Sequence, residues 1–255
     1  MTISRRPGPW KRGNWSETVR RLRWPAVAAV MLGVLLPFAL HGRSSPLVAA
    51  GALFGCWAMV AAVQDLWRRA GTRGKRIEGL TKVPRAVWGM TLAHVGLGIW
   101  ALGVTGVSSF GDEKDVRLAR GAATTLGGYD FKFVEAGEQQ GPNYTAQQGT
   151  VLVERNGRPV ATLYPQKRLY PSQGTVMTQS AIDIGLLRDL YVSLGESYDD
   201  GSWSLRVYFK PLVRLIWLGG VFMFLGGLLA ASDKRYRLAR AAEGRAAEAA
   251  LTAAA

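Results

Sequence analysis

Four apolar stretches constrain this chain more than any other feature: Pro25 to Leu40, Pro46 to Trp67, Val83 to Val107 and Leu212 to Ala231. A helix needs about 17 to 25 such residues to cross roughly 30 Å of hydrocarbon. Inside a bilayer every backbone N–H and C=O must be satisfied within the segment, which leaves helices as the reading for runs of this length. The expected fold is therefore membrane α-helical, with four transmembrane helices. A β-rich domain is inserted between the third and the fourth.

The formal net charge of +14 raises nucleic-acid binding as a possibility, but the placement of the charges speaks against it. Seven basic residues precede the first stretch, from Arg5 to Arg23, and seven more lie from Arg68 to Arg85 between the second and third. Five follow the fourth stretch, while only Arg43 lies between the first two. The span from Ser108 to Lys210 holds eleven basic and twelve acidic residues. This is the positive-inside asymmetry of a membrane protein, and no basic stripe with interleaved aromatics lies outside the membrane flanks. The partner it implies is the lipid bilayer, with no nucleic acid.

The asymmetry gives the domain organisation. Residues 1–24 form a cytoplasmic basic, interfacial segment, where Trp10, Trp15 and Trp24 suit the membrane surface. Residues 25–107 carry three transmembrane helices with a basic cytoplasmic loop at 68–85. Residues 108–210 form the domain on the outer side, 211–232 the fourth helix, and 233–255 a charged, Ala-rich cytoplasmic tail. The long basic N-terminus, without a small-residue cleavage site after the first apolar run, reads as a retained anchor. The single Cys56 lies in an apolar helix, so the chain forms no internal disulfide and is not itself a dithiol oxidoreductase.

Within the outer domain, Tyr129 to Val134 alternates as a half-buried strand does. Thr150 to Arg155 and Arg158 to Leu163 flank Asn156-Gly157, the pair a two-residue type I′ hairpin demands. A further strand is expected from Ser202 to Phe209. Ala181 to Leu194 fits a helix at first and a strand at Leu190, Val192 and Leu194. In the second apolar stretch Gly51 and Gly55 have the small-xxx-small spacing of close helix packing. Glycines 89, 96, 98, 103 and 106 make the third helix unusually thin, and Arg214 at the start of the fourth is placed to snorkel.

Of the two histidines, His41 lies in the short outer loop, whereas His94 lies mid-way along the third helix. Nine residues from Arg85, it sits about 13 Å into the bilayer, where ionisable groups are functional candidates. It shares a face with Met90, Thr91, Leu97 and Gly98, and Ala93 and Gly96 flank it. Three roles remain open on the residues alone: an interhelical hydrogen bond in a glycine-rich seam, haem ligation in room left by the small residues, or proton transfer. A haem on His94 needs its second ligand from another polypeptide or from a methionine such as Met31, Met59 or Met223, because His41 lies outside the apolar core. Asp183, Asp189, Glu196, Asp199 and Asp200 show no catalytic spacing. Lys167, Arg168 and Arg188 read as surface charge, with an anionic partner such as a haem propionate as the alternative. Gly219 to Gly227 lacks the Lys-Ser/Thr ending of a phosphate loop.

Several motifs occur in order: Trp88-Gly-Met-Thr-Leu-Ala-His94, Gly141-Pro-Asn-Tyr144, Tyr164-Pro-Gln-Lys-Arg-Leu-Tyr170, Ala181-Ile-Asp183, Leu187-Arg-Asp-Leu-Tyr191, Tyr208-Phe-Lys-Pro-Leu-Val-Arg214 and Asp233-Lys-Arg-Tyr-Arg237. In this order the chain, over about residues 20 to 240, resembles the C-terminal part of the CcmF family, the haem lyases of system I cytochrome c maturation. The resemblance implies a multi-pass protein of the bacterial inner membrane with both termini cytoplasmic and a periplasmic domain. It implies a haem b held by two membrane histidines, of which His94 matches the second, as a haem-iron axial ligand. It further implies, as partners, the N-terminal half of the lyase, a haem chaperone, apocytochrome c and its thiol-handling maturation subunits. The tryptophan-rich segment, the two outer haem-binding histidines and the first membrane histidine have no match here, and His41 matches none of them. The expectation is a split-gene product or truncated reading frame that is not a working lyase alone and has no complete active site. The alternative is a membrane-anchored scaffold module of the assembly complex with no haem of its own.

Overall fold

The computed structural model describes residues 23–24, 26–35, 38, 45–71, 76–172 and 174–233. It divides into two compact units, one running to Leu102 and resuming at Ile216, the other Gly103–Leu215.

In the helical unit, α1 (Ala26–Leu35) is a short apolar helix. Among the described residues three helices are long and apolar enough to cross a membrane: α2 (Pro46–Arg69), α4 (Arg85–Phe110) and α5 (Val213–Ala231). Of the first apolar stretch the described residues include Ala26–Leu35 and Phe38, all helical, and the rest of it lies outside them. His41 and the tail from Lys234 lie outside the described residues. Ser45 caps α2, its Oγ accepting from the Val48 N–H at 3.3 Å, and Pro46 follows as the first helical residue. The basic loop contains the short helix α3 (Arg76–Lys82). Asp233, after α5, accepts the Ala86 N–H at 2.9 Å and so satisfies one open donor of the first turn of α4.

The thinness of α4 lets two helices approach it. On one side Gly98 meets Gly55 and Met59 of α2: a Cβ at Gly98 would lie 2.5 Å from the Gly55 carbonyl oxygen. On the other, Gly89, Ala93 and Gly96 meet α5 at Gly226, Ala230 and Gly219. These contacts are backbone against backbone, the small-residue mode by which helices associate where no hydrophobic drive separates them from lipid. Gly33 of α1 lies comparably close to the Leu53 backbone of α2.

The second unit is a β-sandwich. One sheet has the order β1-β10-β9-β8, with β1 (Asp112–Leu118), β8 (Ala181–Ile184), β9 (Arg188–Ser197) and β10 (Trp203–Pro211). The other has β2 (Ala123–Leu126), β3 (Tyr129–Gln140), β4 (Thr145–Arg155), β6 (Gln166–Tyr170) and β7 (Thr175–Gln179) in sequence order, with β5 (Arg158–Leu163) also paired to β4. Alternate residues face inward. Phe131, Phe133, Val151 and Val153 from one sheet pack against Leu190, Val192, Leu194, Leu205 and Val207 from the other, each essentially fully buried. Asn156 and Gly157 have φ of 53° and 73°, the left-handed pair expected of the hairpin.

Ala181–Leu194 resolves into β8, a turn and β9, with no helical portion. The helical spacing arises because Leu186 and Leu187 lie in the turn, where their apolar character serves no core.

Candidate functional site

His94 lies on the face of α4 that neither neighbour covers, and its side chain is exposed. Gly98, one turn away on one side, packs on α2, and Thr91 on that side is buried; Ala93 and Gly96, on the other, are covered by α5. The room that small residues beside the imidazole promise is therefore occupied by Gly219, Phe222, Met223 and Gly226. What remains open is the third face, carrying Met90 and His94.

The ring is nevertheless fixed. His94 Nδ1 lies 2.8 Å from the Met90 carbonyl oxygen, one turn back. A carbonyl only accepts, so Nδ1 is the donor, and in the neutral imidazole this tautomer puts the lone pair on Nε2. Imidazoles that ligate metals commonly hold the other ring nitrogen in such a hydrogen bond, which sets tautomer and ring direction. Of the methionines weighed as partners, Met59 packs on Gly98 and Met223 beside Gly96, on opposite flanks of α4, while Met31 is exposed on α1.

Several charged residues of the sandwich are engaged by neighbouring side chains. Arg188 pairs with Asp183 and donates to the Tyr129 hydroxyl at 3.0 Å. Burial by itself lowers the Arg188 pKa, but the hydrogen bonds to Tyr129 and Asp183 outweigh it and hold the group above the ordinary arginine value. Lys167 pairs with Glu196, and Arg168 lies 4.4 Å over the Tyr144 ring. Asp200 accepts from Ser202 and pairs with Arg117, which holds its carboxyl far below the usual range. Arg214 does not snorkel freely: it grips the buried Asp189 through two nitrogens, at 3.3 and 3.0 Å. Asp189 also accepts the Gly185 N–H at 3.1 Å. Burial, and then the Asp189 charge, push the neighbouring Tyr191 hydroxyl up. Sequence reasoning missed this pair because its members are 25 positions apart on different elements. Among the described residues no cluster of three or more His, Cys, Asp or Glu side chains is placed to hold a metal ion.

Residues 109–211 match the family described as the CcmF C-terminal β-sandwich. The chain is 42% identical over 229 residues to the cytochrome c-type biogenesis protein CcmF of Pseudomonas fluorescens, a match covering 88% of this chain and 34% of that protein. It is 37% identical over 211 residues to the protein of the same name from Escherichia coli, covering 83% of this chain and 32% of the relative. A solved structure, the cytochrome c haem lyase CcmF, superposes with a TM-score of 0.68 at 19% identity, over 89% of this chain and 36% of that one, and supports the fold. The chain spans about a third of the length of the relatives it matches. The matched sandwich and the relatives' shared names agree with the three membrane-capable helices around it: the chain belongs to the CcmF family, as its C-terminal part.

Proposed function

We propose that this chain is the C-terminal part of a cytochrome c haem lyase. It contributes one ligand of a membrane haem b and a periplasmic docking domain for covalent attachment of haem to apocytochrome c. The observation that carries the reading is His94, mid-helix, with Nδ1 engaged by the Met90 carbonyl and the ring on the uncovered face of α4. When bound, haem b supplies a redox-active iron; this chain supplies the Nε2 ligand and its orientation. The second ligand comes from another polypeptide, because both flanks of α4 are filled by α2 and α5 and the open face has no companion histidine among the described residues.

The positive-inside asymmetry supports an inner-membrane protein with cytoplasmic termini and the 108–210 domain in the periplasm. There the sandwich meets the N-terminal half of the lyase, the haem chaperone, apocytochrome c and the thiol-handling subunits. Co-expression with the N-terminal half is expected to yield a membrane complex with a b-type Soret band that His94→Ala diminishes. An unchanged spectrum in an intact complex removes His94 from the site. A second reading, a scaffold module with no haem of its own, is favoured by the engaged charges of the sandwich, which brace its strands without forming a catalytic constellation. On that reading His94→Ala leaves partner capture intact and haem never co-purifies.

A further inference from the structure

The β8–β9 turn displays large apolar side chains that no part of the sandwich covers. Leu186 is 84% exposed, Leu187 63%, and Ile184, at the end of edge strand β8, 65%. Three large apolar side chains left exposed within four positions of one turn are an unusual concentration on a folded domain and suit a contact with something apolar.

The turn is a built feature. Its backbone is pinned by the Gly185 N–H to Asp189 and by the Leu187 carbonyl, which accepts the Leu212 N–H at 2.8 Å. A Cβ at Gly185 would collide with the Arg188 carbonyl oxygen, so the tight bend requires glycine. The leucines are thus held outward by a fixed loop.

Its position identifies the occupant. Leu212 is the residue immediately before α5, and Arg188 pairs in register with Pro211. The turn therefore lies level with the first turn of α5. That helix has 19 residues, about 28 Å at 1.5 Å per residue, against roughly 30 Å of hydrocarbon. It has no length to spare, so its first turn sits at the membrane boundary. The β4–β5 hairpin tip is at the same end of the sandwich, since Arg155 reaches the Tyr129 hydroxyl that Arg188 also reaches. It carries the basic residues Arg155 and Arg158. By contrast, the β9–β10 turn around Asp199 lies at the far end of the strands.

We propose that Ile184, Leu186 and Leu187 form an apolar wedge that inserts into the interfacial layer of the bilayer beside the entry of α5, fixing the tilt of the sandwich against the membrane. The proposal rests on α5 spanning the membrane and is independent of the haem reading.

The test uses the full chain in lipid nanodiscs, with Cys56→Ala as background and a nitroxide at Leu186→Cys or Leu187→Cys. Leu225→Cys, within α5, and Asp199→Cys are the references. Collision with oxygen should exceed collision with a water-soluble nickel chelate at 186 and 187, giving ratios nearer to 225 than to 199. An aqueous ratio at both positions overturns the wedge, and so does shielding from both reagents, which would mean a protein covers the turn. Were Leu225→Cys itself to read as aqueous, the spanning assignment of α5 would fall, and the wedge with it.

Discussion

Two adjacent glycine pairs in α5 give opposite predictions at neighbouring positions. Gly219 and Gly226 face α4 and are buried, whereas at Gly220 and Gly227 an added methyl would have nothing within 4 Å. A Cβ at Gly219 would lie 2.6 Å from both the Gly96 carbonyl oxygen and the Trp100 nitrogen. At Gly226 it would lie 2.6 Å from the Ala93 nitrogen and the Gly89 carbonyl oxygen. Ordinary contact is about 3.5–4.0 Å, and opening a packed surface by 0.5–1 Å forfeits a quarter to a half of its dispersion energy. All four obstructing atoms are backbone, so the helices themselves must part by roughly 1 Å, at the cost of about 1–3 kcal/mol typical of overpacking. Gly220→Ala and Gly227→Ala meet no obstruction and are expected to be neutral or stabilising by up to about 1 kcal/mol, through the lower entropy cost of alanine in a helix. Titration of the full chain in mild detergent with sodium dodecyl sulfate, followed by helical ellipticity, reads the difference. Equal destabilisation by Gly219→Ala and Gly220→Ala would refute the close-packed seam.

Asp189→Ala strips Arg214 and the Gly185 N–H of their shared acceptor. Breaking a fully buried pair costs about 3–5 kcal/mol, and because Arg214 is 33% exposed about 2–3 kcal/mol is expected here; thermal unfolding checks it, and Asp189→Leu with Arg214→Met should lose less. Asp115 and Asp200 both have carboxyls held below their ordinary value of 3.8, Asp115 by its hydrogen bonds with Arg206 and Asp200 by Ser202 and Arg117. A depressed folded pKa contributes stability that is present above the unfolded value and lost as pH falls through the folded one. Sandwich stability should therefore be flat from neutral pH to about 4 and decline below it, and Asp200→Asn should flatten part of that decline in acid-unfolding curves.

Much of this architecture is legible in the residues, for identifiable reasons. Asn156-Gly157 announces its hairpin because few other pairs tolerate two positive φ values. The helices α2, α4 and α5 are legible because length and apolarity alone specify them. Strands such as β1, Asp112-Glu-Lys-Asp-Val-Arg-Leu118, and β7, Thr175-Val-Met-Thr-Gln179, are not: β1 turns inward only at Val116 and Leu118, and β7 is exposed throughout. The β8–β9 region misleads because residues meant for something outside the sandwich imitate a core pattern. For the candidate site, the position of His94 along α4 is readable by counting, but its direction is not. On a helix apolar all round no stripe marks the inward side, and only the glycine contacts with α2 and α5 reveal which faces are taken.

That division of faces explains why one helix carries both the glycines and the histidine. A helix crossing lipid between two neighbours of ordinary girth is held apart from them by its own side chains. With Gly98 toward α2 and Gly89, Ala93 and Gly96 toward α5, contact on both flanks is made at backbone distance, so α4 is fixed without help from its third face. That face is then free to carry an exposed imidazole, which in lipid gains nothing for stability and is costly to leave without a polar or metal partner. The hydrogen bond to Met90 engages Nδ1. The glycine seams hold the helix on two flanks and leave the face that carries the histidine free.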